Sequence, residues 1–206
     1  MFKDITFDYT YNGLPINTDK ENGLGCSTKI LTKVHEHLYD MTARHGKTLQ
    51  VRFDLRYPQD GSVTPDSEQL SDFSYNFQRK LRRKVGTGGH RVDPRLVTVS
   101  EHHGKSDTPH VHCVLLVNGN AIQNHMGILK QVEKTWETAI ACNAPGLVDY
   151  CDKRGKNGIM IDRSKEDFGQ KLNDASYQAS YLAKVRGKEN KTKGAWQVRS
   201  TRLPKK

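Results

Sequence analysis

The clearest pattern in the chain is the alternation over residues 49–57. Leu49, Val51, Phe53, Leu55 and Tyr57 are apolar and every position between them is polar. A period of two puts these five side chains on one face of a strand, and Pro58 ends it. Upstream, Ile30, Leu31, Val34, Leu38 and Met41 recur at helical spacing. They predict a helix that starts from a cap at Ser27 or Thr28, runs to Arg44 and is closed by His45-Gly46. Downstream, Leu70, Phe73, Phe77 and Leu81 predict a helix over 67–84. Leu96–Glu101 and His110–Val117 predict two strands whose short connection suits an antiparallel hairpin. Ile128, Leu129, Val132, Trp136 and Ile140 predict a helix over 123–141. Residues 158–162 read as a short strand, and a last helix runs from Asp167 or Asn173 to Val185.

After the first helix the order is β-α-β-β-α-β-α. That order predicts an α+β fold, a ferredoxin-like or RRM-like antiparallel sheet with helices on one face. Residues 1–26, with Asn-Gly at 12–13 and 22–23, read as an irregular N-terminal segment. Residues 27–187 read as one domain and 188–206 as a basic tail in which Trp196 is the candidate for packing. The spacer around 142–157 follows no pattern.

Composition narrows the classes. A chain of 206 residues can bury one real core. Lys and Arg total 33 against 23 acidic residues, a formal charge of +10 that points to a polyanionic partner. No stretch approaches the ~20 apolar residues of a membrane helix. Met1-Phe2-Lys3-Asp4 does not open a signal peptide, so a cytoplasmic protein without a membrane partner is expected. Cys26, Cys113, Cys142 and Cys151 form no CxxC pair and read as reduced thiols, with Cys113 buried.

Two clusters carry candidate chemistry. His110 and His112 stand at i and i+2 on a strand, so their imidazoles share a face about 6.6 Å apart along it. Such a pair can share a divalent ion, and Glu101 on the neighbouring strand supplies a third ligand, with His102 and His103 competing for that role. Mixed nitrogen and oxygen ligation suits Mn²⁺ or Mg²⁺. A histidine-rich hairpin without an ion fits the same residues. Tyr177 and Tyr181 stand at i and i+4 of the last helix, with Lys184 on the same face. A nearby ammonium favours a phenolate and can hold a phosphate. The residues between are small (Ala175, Ser176, Ala179, Ser180 and Ala183) and would let DNA approach closely. Taken alone, two tyrosines at helical spacing are more often core or boundary residues. Arg79, Lys80, Arg82 and Arg83 end the second helix, either as DNA-backbone contacts or as a solvated face.

In that order, His110-Val111-His112 and Tyr181-Leu-Ala-Lys184, with Tyr177 one turn earlier, resemble the HUH endonuclease superfamily, and specifically its two-tyrosine replication initiators. Glu101 and the run into His110 resemble the carboxylate-then-HUH hairpin of viral initiators. Phe53-Asp-Leu-Arg-Tyr-Pro58 is similar to the superfamily's first motif. The chain also resembles inovirus-type replication proteins and YagK/YfjJ C-terminal domains. The resemblance implies an HUH fold and a metal on His110, His112 and Glu101 that polarises the scissile phosphate. It implies in-line attack by one tyrosine, a 5′-phosphotyrosine link and a free 3′-OH, with Lys184 steadying charge and the second tyrosine closing the released circle. The implied substrate is single-stranded or hairpin DNA at a replication origin. The implied partners are a host helicase and polymerase in a bacterial cytoplasm. A plasmid relaxase or a transposase of the same superfamily would share this chemistry. A non-catalytic RRM-like module is the alternative from another class, although the second and third strands offer no aromatic side chains for base stacking.

Overall fold

The computed structural model describes residues 4–84, 86–101, 108–143, 145–152, 155, 157–185 and 198–204. Four short strands come first: β1 (Ile5–Thr6), β2 (Thr10–Tyr11), β3 (Leu14–Pro15) and β4 (Cys26–Ser27). Then follow α1 (Thr28–Arg44), β5 (Lys47–Leu55), α2 (Ser67–Arg83), β6 (Arg95–Glu101), β7 (His110–Asn118) and α3 (His125–Ile140). The chain continues through β8 (Val148–Asp149), β9 (Ile159–Asp162), α4 (Phe168–Ala179), a 3-10 turn (Ser180–Ala183) and β10 (Val198–Ser200).

The main sheet runs β10-β6-β7-β5, and β8 and β9 both pair with the outer edge of β5. Every pairing is antiparallel. Within it, β5-α2-β6 and β7-α3-β9 are two split β-α-β units, each straddling one strand of the other. This is the ferredoxin-like arrangement, with β7 at the centre. The α+β class and the antiparallel sheet thus agree with the hydrophobic pattern.

The layering differs from the expected helices on one face. Leu49, Val51, Phe53 and Leu55 of β5 and Val111, Cys113, Leu115 and Val117 of β7 form one core with α2 and α3. Val97, Val99, Val114 and Leu116 point the other way, into a second core with α1 and α4. A sheet whose central strands are apolar on both faces must be covered on both. The first and last helices supply that second cover.

The N-terminal segment, read as irregular, is partly ordered into strands. β1 pairs with β4 and β2 with β3, and Leu14, Ile16 and Cys26 join the α1–α4 core. Ser176 Oγ donates to the Pro15 carbonyl and Asn17 N donates to Ser180 Oγ, so this segment is tied to the end of α4. Ser27 occupies the cap position of α1 without a side-chain cap bond. In α2, Asp66 and Gln69 form a capping box, which fixes that helix start. The tail contributes β10 at the sheet edge beside β6. Trp196 lies outside the described residues. No disulfide joins any of the four cysteines, and burial pushes the Cys113 thiol well up. Among the described residues no helix is long and apolar enough to cross a membrane.

Two histidines of α1 are sealed inside. His35 lies 3.0 Å from Ser176 Oγ and packs between Tyr11 and Tyr39, and His37 is equally buried. Burial pulls both pKa values down to about 4. A folded-state pKa held below 6.5 means the folded state binds the proton less well than the unfolded chain. Stability from these sites is therefore full above pH 6.5 and is lost as pH falls toward 4. Protonating one such histidine costs roughly 3 kcal/mol. Thermal unfolding should show the midpoint dropping across this window, and dropping less in His35→Gln. A midpoint flat across it would contradict the account.

Candidate active site

The site is built on the sheet face that α1 and α4 cover. Strand alternation points Gln50, Arg52 and Asp54 of β5 away from the apolar set on the opposite face. The register sets Asp54 opposite His112, His112 opposite Val99, and Glu101 opposite His110. His112 is buried, with 3% of its surface exposed, and a carboxylate stands at each ring nitrogen. Nδ1 lies 2.9 Å from Asp54 Oδ1, and Nε2 is hydrogen-bonded to Glu101 Oε2 at 2.6 Å. Glu101 reaches diagonally, since its direct neighbour is His110. Burial alone would disfavour the His112 cation, but the two carboxylates outweigh it and raise its pKa above 6.5. Burial would raise the Asp54 pKa, yet His112 and then Arg52 hold it below the usual range.

The tyrosine segment lies over this row. α4 stops at Ala179, and Ser180–Ala183 winds as a 3-10 turn, where the sequence predicted one helix to Val185. The Tyr181 ring stands edge-on to His112, with centroids 5.3 Å apart and planes at 81°. The Arg52 guanidinium sits over the Tyr181 ring, 3.9 Å from its centroid, and Lys184 Nζ is 5.2 Å from that centroid. Lys184 is fixed by its backbone, donating to the Tyr181 carbonyl and bridging to Cys26. Tyr177 is half-exposed and does not share the contact with His112. It lines a cleft of about 950 Å³ that also reaches Arg52. The small residues do something other than admit DNA. Ala175, Ser176, Ala179, Ser180 and Ala183 are fully buried, and they let the segment pack closely on α1 and the N-terminal strands.

Two functional candidates were given no role by the sequence: Arg52, and Asp54, which stands in the Phe53–Pro58 stretch that resembles the first motif. Asp54 looked like one polar position in an alternating strand, and only the register reveals its place at His112. Arg52 is held by a break in the edge of the sheet. Between β8 and β9 the chain leaves β5, and the Asn157 side chain fills the gap. Its Oδ1 accepts from Arg52 N at 3.0 Å and its Nδ2 donates to the Arg52 carbonyl at 2.6 Å. This carboxamide replaces a strand residue in the ladder, which is why the patternless spacer leads into the site.

The basic end of α2 is not brought to this site. Phe73, Phe77 and Leu81 anchor α2 on the opposite face of the sheet. Arg79, Arg82 and Arg83 are exposed there, and Lys80 Nζ bonds Thr135 Oγ1 at 3.3 Å. His102 and His103 lie outside the described residues.

Among the described residues no group of three His, Cys, Asp or Glu side chains is drawn together tightly enough to hold a metal ion. Glu101 and His112 instead close on one another. The donor set still fits a divalent ion in kind. Two imidazoles and a carboxylate share one face of one hairpin, and Asp54 at Nδ1 leaves Nε2 turned toward Glu101. In this arrangement a proton on His112 stands where an ion would. Without metal, the stability that His112 draws from its two carboxylates fades as pH rises from 6.5 through the raised pKa, while the contribution of Asp54, whose pKa is lowered, is lost as pH falls below 3.8. A divalent ion taken up here would have to displace that proton, so its Mn²⁺ affinity would strengthen by up to about tenfold per pH unit until the His112 pKa is passed. Calorimetry across this range in buffers of different ionisation heat measures the affinity and the proton released. Affinity independent of pH would contradict the arrangement.

Comparison with known proteins adds one match. The model of the YagK/YfjJ C-terminal domain family aligns with residues 6–195, which includes the N-terminal strands, the histidine hairpin and the tyrosine segment. No curated protein and no solved structure matches the chain. With almost its whole length matched, the chain belongs to the YagK/YfjJ C-terminal domain family.

Proposed function

We propose that this chain is a metal-dependent endonuclease that nicks single-stranded DNA through a tyrosine, as HUH initiators of rolling-circle replication do. The observation that carries the reading is the packing of Tyr181 edge-on against His112, itself held between Asp54 and Glu101. A hydroxyl nucleophile, an imidazole–carboxylate set and two cations, Arg52 and Lys184, converge on one covered sheet face.

Tyr181 is the attacking residue in this reading. Its phenolic oxygen gives up its proton and bonds to the scissile phosphorus as the bond to the 3′-oxygen breaks. The products are a 5′-phosphotyrosine and a 3′-oxygen that gains a proton and becomes the free 3′-OH a host polymerase extends, after a host helicase opens the duplex. Arg52 and Lys184 meet the phosphate charge at the tyrosine ring. A divalent ion, Mn²⁺ or Mg²⁺, held by His110, His112 and Glu101 would supply Lewis-acid polarisation of the phosphate. Tyr177, one turn away, serves as the second acceptor that closes the released circle. In this reading Arg79, Lys80, Arg82 and Arg83, on the far side of the domain, would hold flanking DNA.

The reading fits a phage or prophage initiator. A mobilisation relaxase or transposase would use the same chemistry on another replicon. An RRM-like binding module is less well supported, because it needs an open sheet face. Here α1 and α4 cover the face that α2 and α3 leave.

The test is incubation of the full chain with Mn²⁺ and single-stranded DNA of the replicon that encodes it, followed by a denaturing gel. Wild-type protein should carry covalently linked DNA. Tyr181→Phe should lower that yield by about a hundredfold or more, and Tyr177→Phe/Tyr181→Phe should abolish it. An undiminished adduct in the double variant would overturn the proposal.

A further inference from the structure

Apart from Tyr177 and Arg52, the lining of the cleft beside the tyrosine segment takes no part in the chemistry above. It lies between the outer face of α4 and the Asn157–Met160 stretch, and its volume of about 950 Å³ is at the upper end of small-ligand pockets. Helical spacing brings Gln170, Asn173, Asp174 and Tyr177 to one side of α4, away from the buried Ala175 and Ala179. These side chains are not needed to pack the helix.

The polar groups of the cleft are those that read a nucleobase. Asn17 and Asn173 both line it, and among the described residues neither side-chain amide has a partner. Asp174 accepts from Gln170 at 2.8 Å and keeps its second carboxylate oxygen. A free carboxylate repels a phosphate but accepts from an exocyclic amine. The cations Arg52 and Lys171 line the same cleft, and Arg52 Nε is buried without a partner among the described residues. Tyr177, half-exposed, offers a ring face, and Met160 adds an apolar wall.

Resting on the single-stranded DNA substrate proposed above, we propose that this cleft holds one unstacked nucleotide next to the scissile phosphate and selects cytosine or adenine, whose exocyclic amine stands where thymine has the O4 carbonyl. The base lies on Tyr177, as aromatic platforms hold unstacked bases. Asp174 accepts from cytosine N4 or adenine N6, and Asn17 and Asn173 pair with the remaining base edge. The phosphate on the scissile side is drawn to Arg52, which links the cleft to Tyr181. Thymine presents a carbonyl where Asp174 needs a donor, so it is disfavoured.

The test is fluorescence anisotropy of the full chain with labelled single-stranded homo-oligonucleotides of dC, dA and dT, in EDTA so that nothing is cut. The wild-type chain should bind dC and dA about tenfold more tightly than dT, the worth of one good base-edge pairing. Asp174→Ala and Asn173→Ala should erase that preference with melting temperatures unchanged. Tyr177→Ala should weaken all three oligonucleotides by roughly tenfold or more, while Tyr177→Phe retains the platform and the binding. Equal affinity of the wild-type chain for the three oligonucleotides, or a preference that survives both Asp174→Ala and Asn173→Ala, would overturn the inference. Because the assay needs no cleavage, a base preference without any covalent adduct sinks the nicking reading and leaves the cleft. An adduct without a base preference does the reverse.

Discussion

The arrangement depends on one buried imidazole with a carboxylate at each of its nitrogens. His112 has almost no access to water, and so has Glu101. Charges so placed are tolerated only in partnership, and removing one partner of a buried pair typically costs about 3–5 kcal/mol. Asp54 comes from β5 and Glu101 from β6, on either side of β7. The triad therefore exists only when both neighbours of β7 are in register. A slip of one residue in either pairing would turn the partner toward the opposite core, where Phe53 and Trp136 pack. The electrostatic requirement of the site and the strand register of the fold are the same constraint.

That constraint also explains why the nucleophile candidate sits where it does. The Tyr181 ring needs a surface to stand on, and His112 with Arg52 provides it. The helix reaches this surface because its small residues allow close approach to α1, and because it tightens into a 3-10 turn at Ser180. Arg52 in turn depends on Asn157, whose amide completes the sheet edge where the strand is interrupted. A chain of local substitutions, side chain for backbone and 3-10 for α, sets Tyr181 and Tyr177 to different tasks: one faces the triad and the other a cleft.

Much of the fold was legible in the sequence. The nine-residue alternation of β5 and the stripes of α1, α2 and α3 need only periodicity, and their observed bounds differ from the pattern by a few residues. The hairpin of β6 and β7 was equally visible, and with it the neighbourhood of Glu101 and His112. What the pattern missed depended on partners far along the chain. β1 to β4 and β8 are two-residue pairings, too short to carry a period. The double-sided cover of the sheet was written in Val114 and Leu116, apolar residues that make β7 continuous rather than alternating, a mark of burial on both faces, and in Val97 and Val99 beside them on β6. Arg52 carried no local signal, since polar residues in an alternating strand usually face water, and Asp54 was marked only by its place in the Phe53–Pro58 resemblance, with no role attached. The small residues of α4 were misread because closeness to a helix and closeness to DNA leave the same trace in a sequence.

The central claim is that the triad on the sheet selects Tyr181. Tandem mass spectrometry of the wild-type protein after reaction with single-stranded DNA and Mn²⁺ tests this most directly, because it locates the linked nucleotide within the peptide that contains both tyrosines. The account predicts that after a single nick the nucleotide is on Tyr181. A nucleotide found on Tyr177 alone, or on neither tyrosine, would contradict it.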